Sequence, residues 1–204
     1  VKLPVVAVSG ANASEERLMQ MASAQKDSFF VMHIATHGFA FSRSTTAHRR
    51  GYPESGETKQ SLFRRAEDPL ARTGLVLAGA NKTWEAGQSA GVRTDGILTA
   101  REVSNLDLQH CLLATLSACE TGLGEVKEGE EVFGLQRGFK MAGVRYLITS
   151  LWEIPDAETA EFMQLFYTNW LKNKLSIRKA FRASQLSLRK KYSSYKWAAF
   201  VLIE

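Results

Sequence analysis

Two residues of this chain, Cys119 and His37, stand where chemistry is easily built. Cys119 follows the run Leu112-Leu113-Ala114-Thr115-Leu116-Ser117-Ala118 and precedes Glu120-Thr121-Gly122-Leu123-Gly124. His37 closes the run Val31-Met32-His33-Ile34-Ala35-Thr36 and is followed by Gly38. Short apolar runs of this kind read as strands buried on both faces of a parallel sheet. Each reactive side chain is therefore predicted at a strand end, held by the strand and exposed by a glycine-bearing turn. A thiol near pKa 8.5 is mostly protonated at neutral pH, so a cysteine nucleophile gains from a nearby imidazole base. Attack on a carbonyl creates an oxyanion that needs fixed N–H donors. The backbone amides of Gly38 and Cys119 are the natural pair. His33 is a second candidate base, since strand alternation would put it on the same face as His37. His37 is favoured because a base must reach out of the sheet, and His33 then reads as a satisfied core histidine.

The elements that must position these residues alternate between strand and helix. Val5 to Val8 reads as a strand, and Ser14 as the N-cap of a helix carrying Leu18, Met21 and Ala22. The His37 strand spans about Phe29 to Ala35. A polar, aperiodic segment follows from about Phe41 to Thr73, a loop of a length that usually marks a lid or binding loop. Gly74 to Gly79 reads as a third buried strand, and Asn81 to Thr94 as a second loop. Ile97 to Val103 reads as a short helix, with Thr99 and Glu102 spaced as a capping box. After the cysteine strand come a helix with Val132, Leu135 and Phe139 that stops near Gly143, and a strand from Val144 to Trp152. Two more helices carry Met163, Phe166, Tyr167 and Trp170, then Ile177, Ala180, Phe181, Ser184 and Leu188. Trp197 to Ile203 closes the chain as a strand. This alternation predicts an α/β sheet with right-handed crossovers, whose sites lie beyond the carboxyl ends of the strands.

Composition narrows the classes. With 204 residues, 45% of them hydrophobic and 23% charged, the chain reads as one globular domain, 1–204, able to bury a real core. No apolar run approaches the roughly 20 residues that span a bilayer, and no membrane partner is expected. Val1 in place of methionine suggests a piece of a longer chain. Two cysteines, Cys111 and Cys119, are too few for a disulfide framework and point to the cytoplasm. No metal-ligand spacing appears among them and the 4 histidines, so neither metal nor cofactor is expected. The net charge is +5, and between Phe162 and Ile203 there are nine basic residues and no acidic one. Such runs are mostly solvated helix faces, and nucleic acid is not expected as a partner. Acid gathers at Glu120, Glu125, Glu128, Glu130 and Glu131, and again at Glu153, Asp156, Glu158 and Glu161. A nucleotide-binding reading fails for want of a glycine fingerprint after the first strand.

Five blocks, taken in order, resemble a known family. They are His33-Ile34-Ala35-Thr36-His37-Gly38, Leu116-Ser117-Ala118-Cys119-Glu120-Thr121-Gly122, Gly134-Leu135-Gln136-Arg137-Gly138-Phe139, Ser150-Leu151-Trp152-Glu153-Ile154-Pro155-Asp156 and Trp197-Ala198-Ala199-Phe200-Val201-Leu202. Together they are similar to the CHAT domains, caspase-like cysteine peptidases often found behind tetratricopeptide repeats. The resemblance implies a caspase–separase-like three-layer sandwich, a mostly parallel sheet of about six strands with helices on both faces. It implies hydrolysis of peptide bonds in a protein partner by a His37–Cys119 dyad, and control by a regulatory protein or an N-terminal repeat region. His37 and Cys119 lie 82 residues apart, against about 50 in caspases. The segment after Phe41 accounts for the excess. Gly122 stands three residues after the cysteine rather than two, which fits CHAT better than caspase proper. The Trp152-to-Asp156 block is similar to one in separase, which implies a pocket for a basic P1 side chain with Asp156 and Glu153 supplying carboxylate. Asp156 also reads as a helix N-cap, and apolar P1 preference also occurs in the family. The rival reading is a catalytically silent module that binds a partner through its basic C-terminal helix.

Overall fold

A computed structural model describes residues 4–24, 30–41, 63, 66–81, 95–117 and 132–204. Its main sheet has four strands: β1 (Phe30–Ile34), β5 (Cys111–Leu116), β6 (Tyr146–Ser150) and β7 (Phe200–Ile203), in the order β1-β5-β6-β7. The pairs β1–β5 and β5–β6 are parallel, and β7 runs antiparallel to β6. A separate antiparallel sheet joins β2 (His37–Ala40), β3 (Thr73–Val76) and β4 (Ile97–Thr99). The predicted mostly parallel sheet of about six strands is thus replaced by a mixed sheet of four and a small antiparallel sheet of three.

The reason lies at Ala35-Thr36. The chain leaves β1 there and enters a different sheet, so Gly74-Leu75-Val76 pairs with β2 and β4 instead of extending the main sheet. The strand expected at Val5 to Val8 is irregular, with Val5 85% and Val6 65% exposed. No described strand lies against it to complete a ladder.

The α-helices that lie wholly within the described residues are α1 (Glu15–Ala24), α2 (Ala100–Ser104), α3 (Val132–Met141), α4 (Asp156–Tyr167), α5 (Ile177–Arg189) and the single turn α6 (Ser194–Trp197). They cover both faces of the main sheet. Ala22 of α1, Val103 of α2 and Phe139 of α3 pack with Ala114, Leu116 and Leu147. Phe162 and Phe166 of α4 and Phe181 of α5 pack with Leu113, Ile148 and Phe200. Alternation along β5 and β6 divides the two cores, as a strand buried on both faces requires.

Local signals act as the sequence specified. The Ser14 hydroxyl accepts from the Arg17 amide at 3.2 Å and caps α1. Thr99 and Glu102 form a complete capping box. The helix expected from Ile97 begins only at Ala100, because Ile97–Thr99 is committed to β4. Helix α3 stops at Gly143, whose φ of +103° is the left-handed C-cap geometry that glycine adopts freely. The Lys140 ammonium donates to the carbonyls of Val144 and Arg145 at 2.8 and 3.0 Å, satisfying groups just beyond that end.

The predicted 41–73 loop falls largely outside the described residues, but both its ends are built structure. The Phe41 amide donates to the Arg72 carbonyl at 2.9 Å, Phe63 packs on Phe39, and Asp68 caps a 3-10 turn at Pro69–Ala71.

Candidate functional site

Strands β1, β5 and β6 run parallel, so their carboxyl ends share one edge of the sheet with β5 in the middle. From β1 the chain runs to His37, from β5 to Cys119, and from β6 to Glu153 and Asp156. All three predicted site segments therefore depart from adjacent strands at the edge where α/β sheets carry their sites. Cys119 lies outside the described residues; the last described residue of its strand is Ser117.

Ser117 is pinned to β1 twice. Its amide donates to the Ile34 carbonyl at 2.9 Å, and its hydroxyl lies 2.9 Å from His33 Nε2. On the other side of the same ring, His33 Nδ1 is 3.0 Å from the Tyr167 hydroxyl, which lies 3.3 Å from Thr115 Oγ1. One chain of hydrogen bonds thus ties β1, β5 and the end of α4. His33 is satisfied, as expected, but it is not a core histidine, because the residue is exposed. Enough protein surrounds it to desolvate the imidazolium, and this lowers its pKa from the usual value. Burial likewise raises the Tyr167 phenol.

His37 opens β2 opposite Val76 and is exposed. Among the described residues its ring makes no hydrogen bond or ion pair. The preceding Thr36 hydroxyl donates to the Val76 carbonyl, fixing the chain just before the histidine. The inference that His33 and His37 share a face assumes one unbroken strand, and the break at Ala35-Thr36 removes it. Gly38, the expected oxyanion donor, is buried in β2 opposite Leu75.

Beyond β6 the chain is anchored at alternate residues. Trp152 stacks on Tyr195 with ring centroids 5.9 Å apart and donates its indole N–H to the Tyr195 carbonyl at 2.7 Å. Ile154 is 1% exposed. Glu153, between these anchors, faces solvent, as does Asp156. Neither carboxylate is engaged in a hydrogen bond or ion pair among the described residues. Pro155 occupies the N-cap position and Asp156 begins the helix, so Asp156 does not serve as the cap.

Cys111 is buried at the other end of β5, and burial pushes its thiol up to about 12. The basic run is partly neutralised: Lys191 pairs with Glu161, Lys196 with Glu158 and Arg178 with Glu204. Among the described residues no group of three His, Cys, Asp or Glu side chains could hold a metal ion, and no helix is long and apolar enough to cross a membrane. The link from His33 to Tyr167, 134 residues along the chain, had no sequence signal beyond the polar tip of an otherwise apolar helix face.

The family model of the CHAT domain matches residues 4–204. The human protein named tetratricopeptide repeat protein 28 is 33% identical over 110 residues, covering 52% of this chain. Its mouse counterpart is 32% identical over 110 residues. The chain covers only about 4% of the length of either relative.

Proposed function

The chain belongs to the CHAT-domain family, a family related to cysteine peptidases, and on that premise we propose that it is a cysteine endopeptidase domain acting on a protein partner. The observation that carries the reading is the common departure edge of β1, β5 and β6, which lead to the histidine, the cysteine and the two acids. In this mechanism His37 takes the thiol proton and Cys119 Sγ attacks the scissile carbonyl. The Gly38 and Cys119 amides hold the oxyanion. The tetrahedral intermediate collapses as His37 returns its proton to the departing amine. Water, deprotonated by His37, then cleaves the thioester and frees Cys119. Glu153 and Asp156, without an ion-pair partner among the described residues and standing off a firmly anchored segment, give the site a preference for Arg or Lys at P1, because a guanidinium pairs strongly with carboxylate. The likeness to tetratricopeptide repeat protein 28 supports control by repeat segments outside this chain.

Digestion of a peptide library, read by mass spectrometry, tests activity and P1 together. Cleavage after Arg or Lys is expected in the wild type, and Cys119→Ala and His37→Ala should each lose at least 10²-fold in rate. Undiminished cleavage in either variant overturns the assignment. Cleavage after apolar residues removes the carboxylate pocket but not the peptidase. Iodoacetamide should label Cys119 in the folded wild type and leave Cys111 untouched until the protein unfolds. Equal labelling of the two thiols, with no cleavage, would support the silent binding module instead.

A further inference from the structure

We propose that His33 is a positioning residue of this site: it fixes the end of β5, from which the chain runs to Cys119, against β1 and α4. The inference rests on the peptidase reading above. It starts from the geometry of one imidazole whose two nitrogens are both engaged, by Ser117 at 2.9 Å and Tyr167 at 3.0 Å.

The connections are directional and complete. When Nε2 carries the proton it donates to Ser117 Oγ, Tyr167 donates to Nδ1, and Thr115 donates to the phenol oxygen. When Nδ1 carries it, it donates to Tyr167, Tyr167 donates to Thr115, and Ser117 donates to Nε2. Both arrangements leave every polar atom partnered, so a neutral ring is satisfied either way. Only the first leaves the Ser117 hydroxyl hydrogen uncommitted to the ring. The lowered His33 pKa keeps the ring neutral at physiological pH in either arrangement.

The ring faces Tyr167 from α4 and Ser117 and Thr115 from β5, and no charged side chain bonds to it among the described residues. Immediately after Tyr167 the helix widens into a π-turn at Thr168–Lys172, a distortion that recurs at functional sites. A nucleophile two residues beyond Ser117 depends on this strand end for its placement. A shift of about 1 Å at a reacting group can cost on the order of 10²-fold in rate.

The test compares three variants at His33. Leu removes both hydrogen bonds. Asn places its amide near the Nδ1 position and retains Tyr167. Gln reaches the Nε2 position and retains Ser117. For the best peptide from the library, His33→Leu should lower kcat about ten- to hundredfold with KM nearly unchanged. His33→Gln should recover kcat to within a few-fold of wild type, and His33→Asn should not. Iodoacetamide labelling of Cys119 provides a second readout that needs no peptide. It should slow in His33→Leu and recover in His33→Gln.

Wild-type rates in His33→Leu, a change confined to KM, or losses that are alike in all three variants and track their melting temperatures would each overturn the proposal. The two readings fail separately. If Cys119→Ala still cleaves, the peptidase reading falls and this inference with it. If Cys119→Ala is dead while His33→Leu is fully active, only this inference falls.

Discussion

On one face of the main sheet, α3 lies against α2 and β3 through two glycines, Gly134 and Gly138. On the other, α4 and α5 meet the strands through stacked and edge-on aromatic rings. A Cβ on Gly138 would sit 2.6 Å from the Ala100 carbonyl oxygen, and one on Gly134 would sit 2.1 Å from a Thr73 methyl. Phe162 stacks on Phe200 with centroids 4.0 Å apart and meets Phe181 edge-on at 5.4 Å. The first face is tight because atoms are absent, the second because large side chains fill it. The glycine face should therefore be damaged by adding a methyl group, and the aromatic face by removing a ring.

Removal on the aromatic face should have the largest effect. Phe162 is fully buried, and Phe162→Ala should cost about 3–5 kcal/mol in urea unfolding, a large share of the stability of an ordinary domain. A loss below about 1 kcal/mol would mean that the rings collapse to fill the space, and the contrast between the faces would disappear. The site should feel the change too, since α4 also carries Tyr167.

Addition on the glycine face should cost less, and unequally. Alanine is favoured over glycine within a helix by about 1 kcal/mol, which partly offsets overpacking of about 1–3 kcal/mol. Gly138→Ala meets a backbone carbonyl fixed inside α2, so a net loss of about 1–2 kcal/mol is expected. Gly134→Ala meets the Thr73 Cγ2, a closer approach on a buried, β-branched side chain that must change rotamer to yield, so its net loss should be the larger of the two, about 2–3 kcal/mol. Equal losses from the two substitutions would show that α3 shifts as a rigid body.

The same contrast explains what could be read from the chain. Aromatic positions such as Phe166 and Phe181 announce themselves, because a helix with rings at helical spacing must bury them. Gly134 and Gly138 matched a family block, but periodicity records side chains and cannot register the value of a missing one. Strands β1, β5 and β6 were legible as apolar runs, and with them the edge that carries the site. Strands β2, β3 and β4, of three or four residues each, are too short for alternation to separate a second sheet from the first. Val5 to Val8 had a strand's composition, but composition cannot supply a neighbouring strand. At the site, His37 and Cys119 stood out by their turns. The His33–Tyr167 link joins residues too distant in sequence for any local pattern to register.

Ion pairs along the rim of the aromatic face give the smallest effect. Glu158 and Glu161 of α4 bind Lys196 and Lys191, closing the segment after α5 over the rings, and the Tyr192 hydroxyl donates to Glu161 at 2.8 Å. Glu158 is buried. Even so, the hydrogen bond from Lys196 favours the carboxylate more than burial opposes it, and its pKa lies below the usual value. Lys191 and then Tyr192 hold Glu161 down in the same way. Because both pKa values are depressed in the folded state, the unfolded chain binds more protons as pH falls through the carboxylate range. The pairs therefore contribute fully above the unfolded value of about 4.3, and the contribution is lost on acidification through the folded values. The lowered His33 pKa makes wild type and Glu158→Gln alike lose some melting temperature as pH falls below about 6.5; below about 4.5 wild type should decline further, and Glu158→Gln more shallowly. If that variant declines as steeply as wild type, the pair does not tie the segment down, and the rings alone hold this face closed.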